Sequence, residues 1–557
     1  MTKMRYVCAL WGLLFVAATH ATQYGWTGAG DGAVWGDSNN WGGVSFPQSG
    51  DSAVFGNGDS PTINLGTNRT IAAMTVASGN GATSVVGFDN GGTNRALTLT
   101  AALTIGSTPD LNANAAYGTL DIGADTSLDL DGPLFIGVGR RMYCTLAVNG
   151  GVCTVGSAGG PVSVDIGHKT STYTANPTRG YLDVNGGAFT VVANTFSLGT
   201  YSHPSSGTAQ ESAGVMTVRA GTVDVRAEVM RIGADLSSLF GAQTRGTLDT
   251  TASLDPMAFR VGSLTVGRGE DPSRTVSGRV SFGNPSNANL QVFAVTNALA
   301  VGTTRSGNGR IQVNAGLLRL GTNERRIDAV IGQHGSSLGG TAVGVIDVGV
   351  HGRLEAYLGT MQLGWNFNSG GNALGTLDLT SQPLGSESCV LDANLVTVGY
   401  DGDGPTRSGT LLLGEGTCRL GQLIAGRSSG GTANIDLNGT VVRTTSVTLN
   451  SGADVDVVIS WDEAGLDLTD ESATLSVLGT GNLTLTFEDP DPLFRGIYWG
   501  LRWAGDHTSE LQALWGNGLT VVTNTSAQHE IEILEYAGHT YIGFIAHPLT
   551  GAVLKVR

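Results

Sequence analysis

Gly426-Arg427-Ser428-Ser429-Gly430 has the spelling of a nucleophile elbow, the strand-to-helix turn that exposes a serine hydroxyl for acyl transfer. Here it leads into Gly and Ser rather than into a helix, and in a chain with 85 glycines such a match arises by chance. Asp401-Gly402-Asp403-Gly404 begins like a calcium loop but lacks the later oxygen ligands such a loop needs. No catalytic residue, metal ligand or cofactor is assigned on these grounds. Cys389 opens Cys-Val-Leu-Asp and Cys418 opens Cys-Arg-Leu-Gly, as if they were one strand in successive repeats. Stacked in parallel they would stand about 4.8 Å apart, inside the roughly 4.4 to 6.8 Å that a disulfide accepts between Cα atoms. A bridge and two small residues stacked in a wall both fit this placement.

The chemistry that recurs is recognition chemistry. The loops that follow the third strands, the longest being 168–179, 200–213, 234–245, 365–374 and 400–408, together hold ten basic side chains against six acidic ones, with aromatic residues interleaved. Guanidinium groups beside aromatic faces suit anionic glycans. Trp365, Tyr400, Tyr201, Arg268 and Arg427 are therefore the candidate ligand contacts, and an anionic polysaccharide or cell-surface component is the candidate partner. The competing reading has these loops packed on one another, their arginines merely solvated. A second recurring feature is an aspartate three residues into successive repeats, at Asp121, Asp183, Asp249, Asp347, Asp378 and Asp436. In register these would form an outward, solvated stripe.

The elements that must position these residues are legible from one pattern: apolar, any, apolar, glycine. It runs from Leu103-Thr104-Ile105-Gly106 through Leu264-Thr265-Val266-Gly267 to Leu423-Ile424-Ala425-Gly426, eleven times at spacings of 27 to 35 residues. Such a period, with insertions, marks a repeat architecture. Each unit reads as three short strands: one opening near glycine, as in Gly118-Thr119-Leu120-Asp121, a second after a Gly or Asn turn, and the glycine-terminated third. One repeat cannot bury enough apolar surface to offset its ordering entropy, so repeats must stack. The predicted fold is all-β: a parallel β-helix, a three-strand solenoid taken as right-handed because parallel crossovers almost always are. A propeller needs four strands per blade and a leucine-rich horseshoe needs its Leu and Asn lattice, and neither signature is present.

Lys3 and Arg5 ahead of the apolar run 7–18 read as a secretory signal over residues 1–21. Export to the extracellular space or cell surface follows, and the formal charge of -16 disfavours nucleic acid as a partner. Residues 22–60 form a Trp-rich N-terminal cap, 61–450 the repeats, and 451–557 a β-rich capping module with one helix near 506–515 and a hairpin through Ala537-Gly538-His539. No membrane-spanning segment is expected in the mature chain.

The stretch Trp26-Thr27-Gly28-Ala29-Gly30-Asp31-Gly32, with Trp35, Asn39-Asn40-Trp41 and Pro47, followed by the glycine-strand repeats, resembles the exported bacterial autotransporter-associated, passenger-like β-strand repeat proteins. The resemblance covers roughly residues 24–450 and implies a β-helical surface protein while saying little about activity. The family's translocator barrel is not evident after residue 450. The expected function is an exported structural or adhesive surface protein, glycan-binding and non-enzymatic. The alternative is a carbohydrate-active enzyme, a polysaccharide lyase or hydrolase, on the same scaffold.

Overall fold

Alternation at period two sends one side chain inward and the next outward, and the computed structural model carries this through about 14 turns of a parallel β-solenoid. It describes residues 22–556 apart from 57, 79–82, 108–114, 171–176, 203–210, 238–242, 272–273, 336–338, 367–369, 386–388, 400–405, 428–430, 438, 460–464, 490–495, 526–529 and 546–554. The proposed signal, Tyr400, the Asp401–Gly404 segment and Ser428–Gly430 therefore lie outside the described residues.

Three walls form, each a ladder of parallel strands. On the third wall Leu103, Leu134, Val164, Phe196, Met230, Leu264, Leu299, Ala329, Met361, Val396 and Leu423 stand in unbroken register. All eleven repeat glycines follow that ladder at one corner, every one with positive φ between 58° and 87°. The repeat-start position makes a second column on the first wall: Gly118, Cys144, Gly180, Gly214, Gly246, Gly278, Gly309, Gly344, Gly375, Gly409 and Ala433. The two columns meet. A Cβ on Gly302 would fall 1.7 Å from the Val343 carbonyl oxygen, and one on Gly344 would fall 2.3 Å from the Gly332 nitrogen. Backbone touches backbone at this corner, so only glycine, or rarely another small residue in the second column, can occupy it.

Parallel pairing extends beyond the expected repeat region at both ends. Ser52–Gly56 already pairs with Ala73–Ser78, and Asn482–Phe487 still pairs in parallel with Leu519–Thr523. Trp26, Trp35 and Trp41 close the N-terminal end of the core. Their rings meet at 4.8 to 4.9 Å, and the Trp41 indole donates to the Trp35 carbonyl at 2.8 Å. At the other end Ile497–Ala504 turns antiparallel against His539–Ile545, which pairs with Glu532–Tyr536. The turn between the last two strands places Ala537 and Gly538 at φ 52° and 79°, as a tight primed turn requires. The expected helix spans Thr508–Leu514, with His507 at its N-cap making no side-chain capping bond. No helix among the described residues is long and apolar enough to cross a membrane.

Replacing Gly302 by alanine is expected to cost roughly 3 kcal/mol, because left-handed backbone strain and a carbonyl clash coincide there. Gly159, whose added Cβ meets nothing within 4 Å, should accept alanine with a change within about 0.5 kcal/mol. Thermal denaturation of the two variants beside the native chain checks the contrast.

Candidate functional site

The aspartate stripe forms as an outward column on the first wall. Asp183, Thr217, Asp249, Ser281, Gln312, Asp347 and Asp378 stand in consecutive register, and Leu412 separates Asp378 from Asp436. Neutral residues dilute the like charges over most of its length. Where Asp436 and Asp456 become neighbours, the Asp456 carboxyl is pushed upward by burial and by Asp454 and Asp436. Among the described residues no group of three or more His, Cys, Asp or Glu side chains is placed to hold a metal ion.

At the loop corner the residue after the repeat glycine forms one column from His168 to Trp365, and the next residue forms a second from Lys169 to Asn366. Arg268 and Trp365 share the first column, three rungs or about 14 Å apart. Arg268 is exposed and binds Glu270 through two contacts at 2.7 and 3.0 Å, and Trp365 is half-buried. Arg427 lies further along the same corner, where its backbone N–H donates to the Ser451 carbonyl at 3.1 Å. Tyr201 belongs to the second column, which faces inward, and its side chain is fully buried. It offers no surface to a ligand. Glu211 binds both Arg179, at 2.7 Å, and Arg245, at 3.4 Å. With the Arg268–Glu270 pair, this contact commits three of the loop arginines to carboxylates.

That inward column is polar. Lys169, Tyr201 and Asp235 occupy consecutive rungs with no solvent exposure, and His334 and Asn366 do so further on. Burial brings the Lys169 amine down to about 8, with Arg140 adding to the shift. Burial raises the Asp235 carboxyl to about 6 against hydrogen bonds from the Ser237 backbone N–H and hydroxyl, and Glu270 and Asp271 push it further. Among the described residues Asp235 Oδ2 and the Tyr201 hydroxyl have no hydrogen-bond partner.

Cys389 and Cys418 are buried free thiols. Strand register sets Arg419 beside Asp392, which displaces Cys418 two residues from Cys389. Two residues of rise and one strand spacing separate their Cα atoms by about 8 Å, beyond disulfide reach. Burial pushes the Cys389, Cys144 and Cys153 thiols up to about 12 and raises Cys418 as well.

One arrangement of aromatic and polar side chains on the first wall was not foreseen from the sequence. Residues just before the repeat-start column point outward, and there Thr83, Tyr117, Tyr143, Arg179, Ala213 and Arg245 stand in register. Tyr117 and Tyr143 stack with centroids 5.0 Å apart and planes 13° from parallel. The Arg179 guanidinium lies 5.6 Å from the Tyr143 ring centroid. Tyr117 is 37% exposed. Further along the same strands a polar row crosses the rungs: Asn149 donates to Asp121 at 2.7 Å, Asn185 to Asn149 at 2.8 Å, and Arg219 to Asn185 at 2.9 Å. Tyr181 and Thr145, neighbours in register, fill the space between. The result is a flat outer face with aromatic plates at one edge and amides, carboxylates and guanidinium groups at the other. Two tyrosines immediately ahead of the repeat-start residue in consecutive coils were the signal for it.

The chain matches no known family model, no curated protein and no solved structure. The site itself must carry any functional reading.

Two measurements test this geometry. With an unfolded pKa near 3.9, the stability that neutral Asp235 contributes is present below about pH 4 and lost as pH rises to about 6. Asp235→Asn is therefore expected to stabilise the fold by roughly 1 to 3 kcal/mol at pH 8 and not at pH 4, read from denaturation curves at both. For the cysteines, a thiol reagent at pH 8 should label none of Cys144, Cys153, Cys389 and Cys418 in the folded chain. All four should react after denaturation without reductant, and the loss of two would report a bridge.

Proposed function

We propose that this chain is an exported, non-enzymatic rod of the passenger-like repeat kind that binds glycan and serves a structural or adhesive role at a cell surface. The stacked Tyr117–Tyr143 pair with Arg179 beside it carries the reading. Aromatic rings offer flat apolar plates to the C–H faces of sugars, and the neighbouring Asp121, Asn149, Asn185 and Arg219 offer acceptors and donors to hydroxyls. A few aromatic and arginine anchors supply most of the energy of such contacts. Arg268, Trp365 and Arg427 extend the surface along the adjoining corner, from which the variable segments leave. Export rests on the signal-like residues 1–21 and on the resemblance of the tryptophan-rich opening to exported repeat proteins.

A glycan microarray probed with the full chain tests the reading. Tyr117→Ala/Tyr143→Ala is expected to weaken the bound glycans tenfold or more, about 1.4 kcal/mol, with an unchanged melting temperature because both rings lie on the outer face. Trp365→Ala should weaken them less. Undiminished binding by the tyrosine double variant, or release of oligosaccharide from the arrayed glycans, would overturn it.

A further inference from the structure

The outward stripe of the first wall has a gap near its start. Thr62, Gly87 and Asp121 occupy three consecutive rungs of that column, and at Gly87 the side chain is missing. The backbone does not demand glycine there. Gly87 lies inside the strand Thr83–Phe88 without positive φ, and an added Cβ would meet no atom within 4 Å. A glycine inside a strand weakens it and often marks the close approach of something else.

The gap is the floor of a trough of about 640 Å³, within the size range of small-molecule sites. Thr62 and Asp121 flank it on strands about 10 Å apart. Asp89, Asn94 and Asp125 close it from the following turns. Asp125 is committed to holding that rim, since it accepts from the backbone N–H groups of Asn90 and Gly92, both at 2.8 Å. Asp121 accepts from Asn149 through Oδ1 and keeps Oδ2 uncommitted among the described residues. The side chains of Thr62 and Asn94 make no hydrogen bond among the described residues. The trough continues around the turn into a second hollow of about 390 Å³, which shares Asn94 and Asp125 and reaches Arg95 and Ser127.

We propose that this trough binds a segment of a neutral, hydroxyl-rich oligosaccharide and that Gly87 keeps it open. The inference rests on the reading of the solenoid as a glycan-binding rod, and it adds the class of sugar and a second point of contact. Three carboxylates against one arginine at the far end repel uronate and sulfate groups. The carboxylate oxygens accept from sugar hydroxyls, while the Thr62 hydroxyl and the Asn94 amide can both donate and accept.

The test titrates the full chain with neutral oligosaccharides of β-linked glucose, xylose and N-acetylglucosamine, and with polygalacturonate and a sulfated glycan as acidic probes. At least one neutral probe should bind. Gly87→Thr, which restores a stripe side chain, should weaken it tenfold or more with the melting temperature unchanged or raised. Asp121→Asn, which keeps the volume, should weaken it about threefold or more. Gly349→Thr serves as control, a strand glycine whose added Cβ meets only ordinary contacts at 3.6 Å and beyond, and it should bind like the native chain. If only acidic probes bind, or if Gly87→Thr and Asp121→Asn bind like the native chain, the trough proposal fails and the glycan-binding reading stands. If no probe binds, both fail.

Discussion

Backbone contact at a single corner decides the rest of this molecule. Where the third wall ends and the first wall of a later coil begins, carbonyl and amide groups stand where a Cβ would otherwise be, as at Gly302 against Val343 and Gly344 against Gly332. The variable segments leave after this contact and return just before the repeat-start column, so their length can change from coil to coil without disturbing the corner. Insertion is tolerated on one side of the contact, while side chains are excluded within it. Loop closure adds little cost per extra residue, which lets those segments vary freely.

Outside the core, in-register stacking makes each surface residue the neighbour of its equivalents, so columns behave as units. Like charges would accumulate, and the chain limits this by interleaving neutral residues over most of the first wall and by pairing on the second. There Arg319 meets Glu355 at 2.7 Å, and Asp392 is held by Arg326 at 2.8 Å and by Arg419 at 2.7 Å. Exposed pairs of this kind are individually weak. Their value lies in setting which residues face each other across rungs. The same rule brings Tyr117 and Tyr143 into one stack, since two aromatic residues at equivalent positions of adjacent coils have nowhere else to go.

Much of this was legible beforehand for a definite reason. A parallel solenoid repeats its inward pattern every coil, so the eleven glycines and the aspartate column could be aligned by eye and did align in space. What failed to show was anything dependent on local length or on sidedness beyond a strand's end. Cys389 and Cys418 lose register because the chain from Leu384 to Asp392 is longer than its counterpart from Gly416 to Arg419. Tyr201 sits two residues past a left-handed glycine, and there alternation restarts with its phase set by the turn, which turns the ring inward. Tyr117 and Tyr143 stand in strands outside the loops where arginine and aromatic residues concentrate, and only their equivalent places in adjacent coils mark them.

Strand pairing along the axis also fixes how such a rod answers a load. Tension applied between its two ends pulls on the hydrogen bonds one rung at a time instead of shearing many together, so a terminal coil, supported by a neighbour on one side only, yields first. Each coil released adds about 30 residues, roughly 100 Å of extended chain, where one rung of rod had occupied about 4.8 Å. The remaining turns keep their core, because each depends only on the turns beside it. Held at both ends, the chain would therefore lengthen one coil at a time under load, each step far longer than the rung it replaces, and not part all at once.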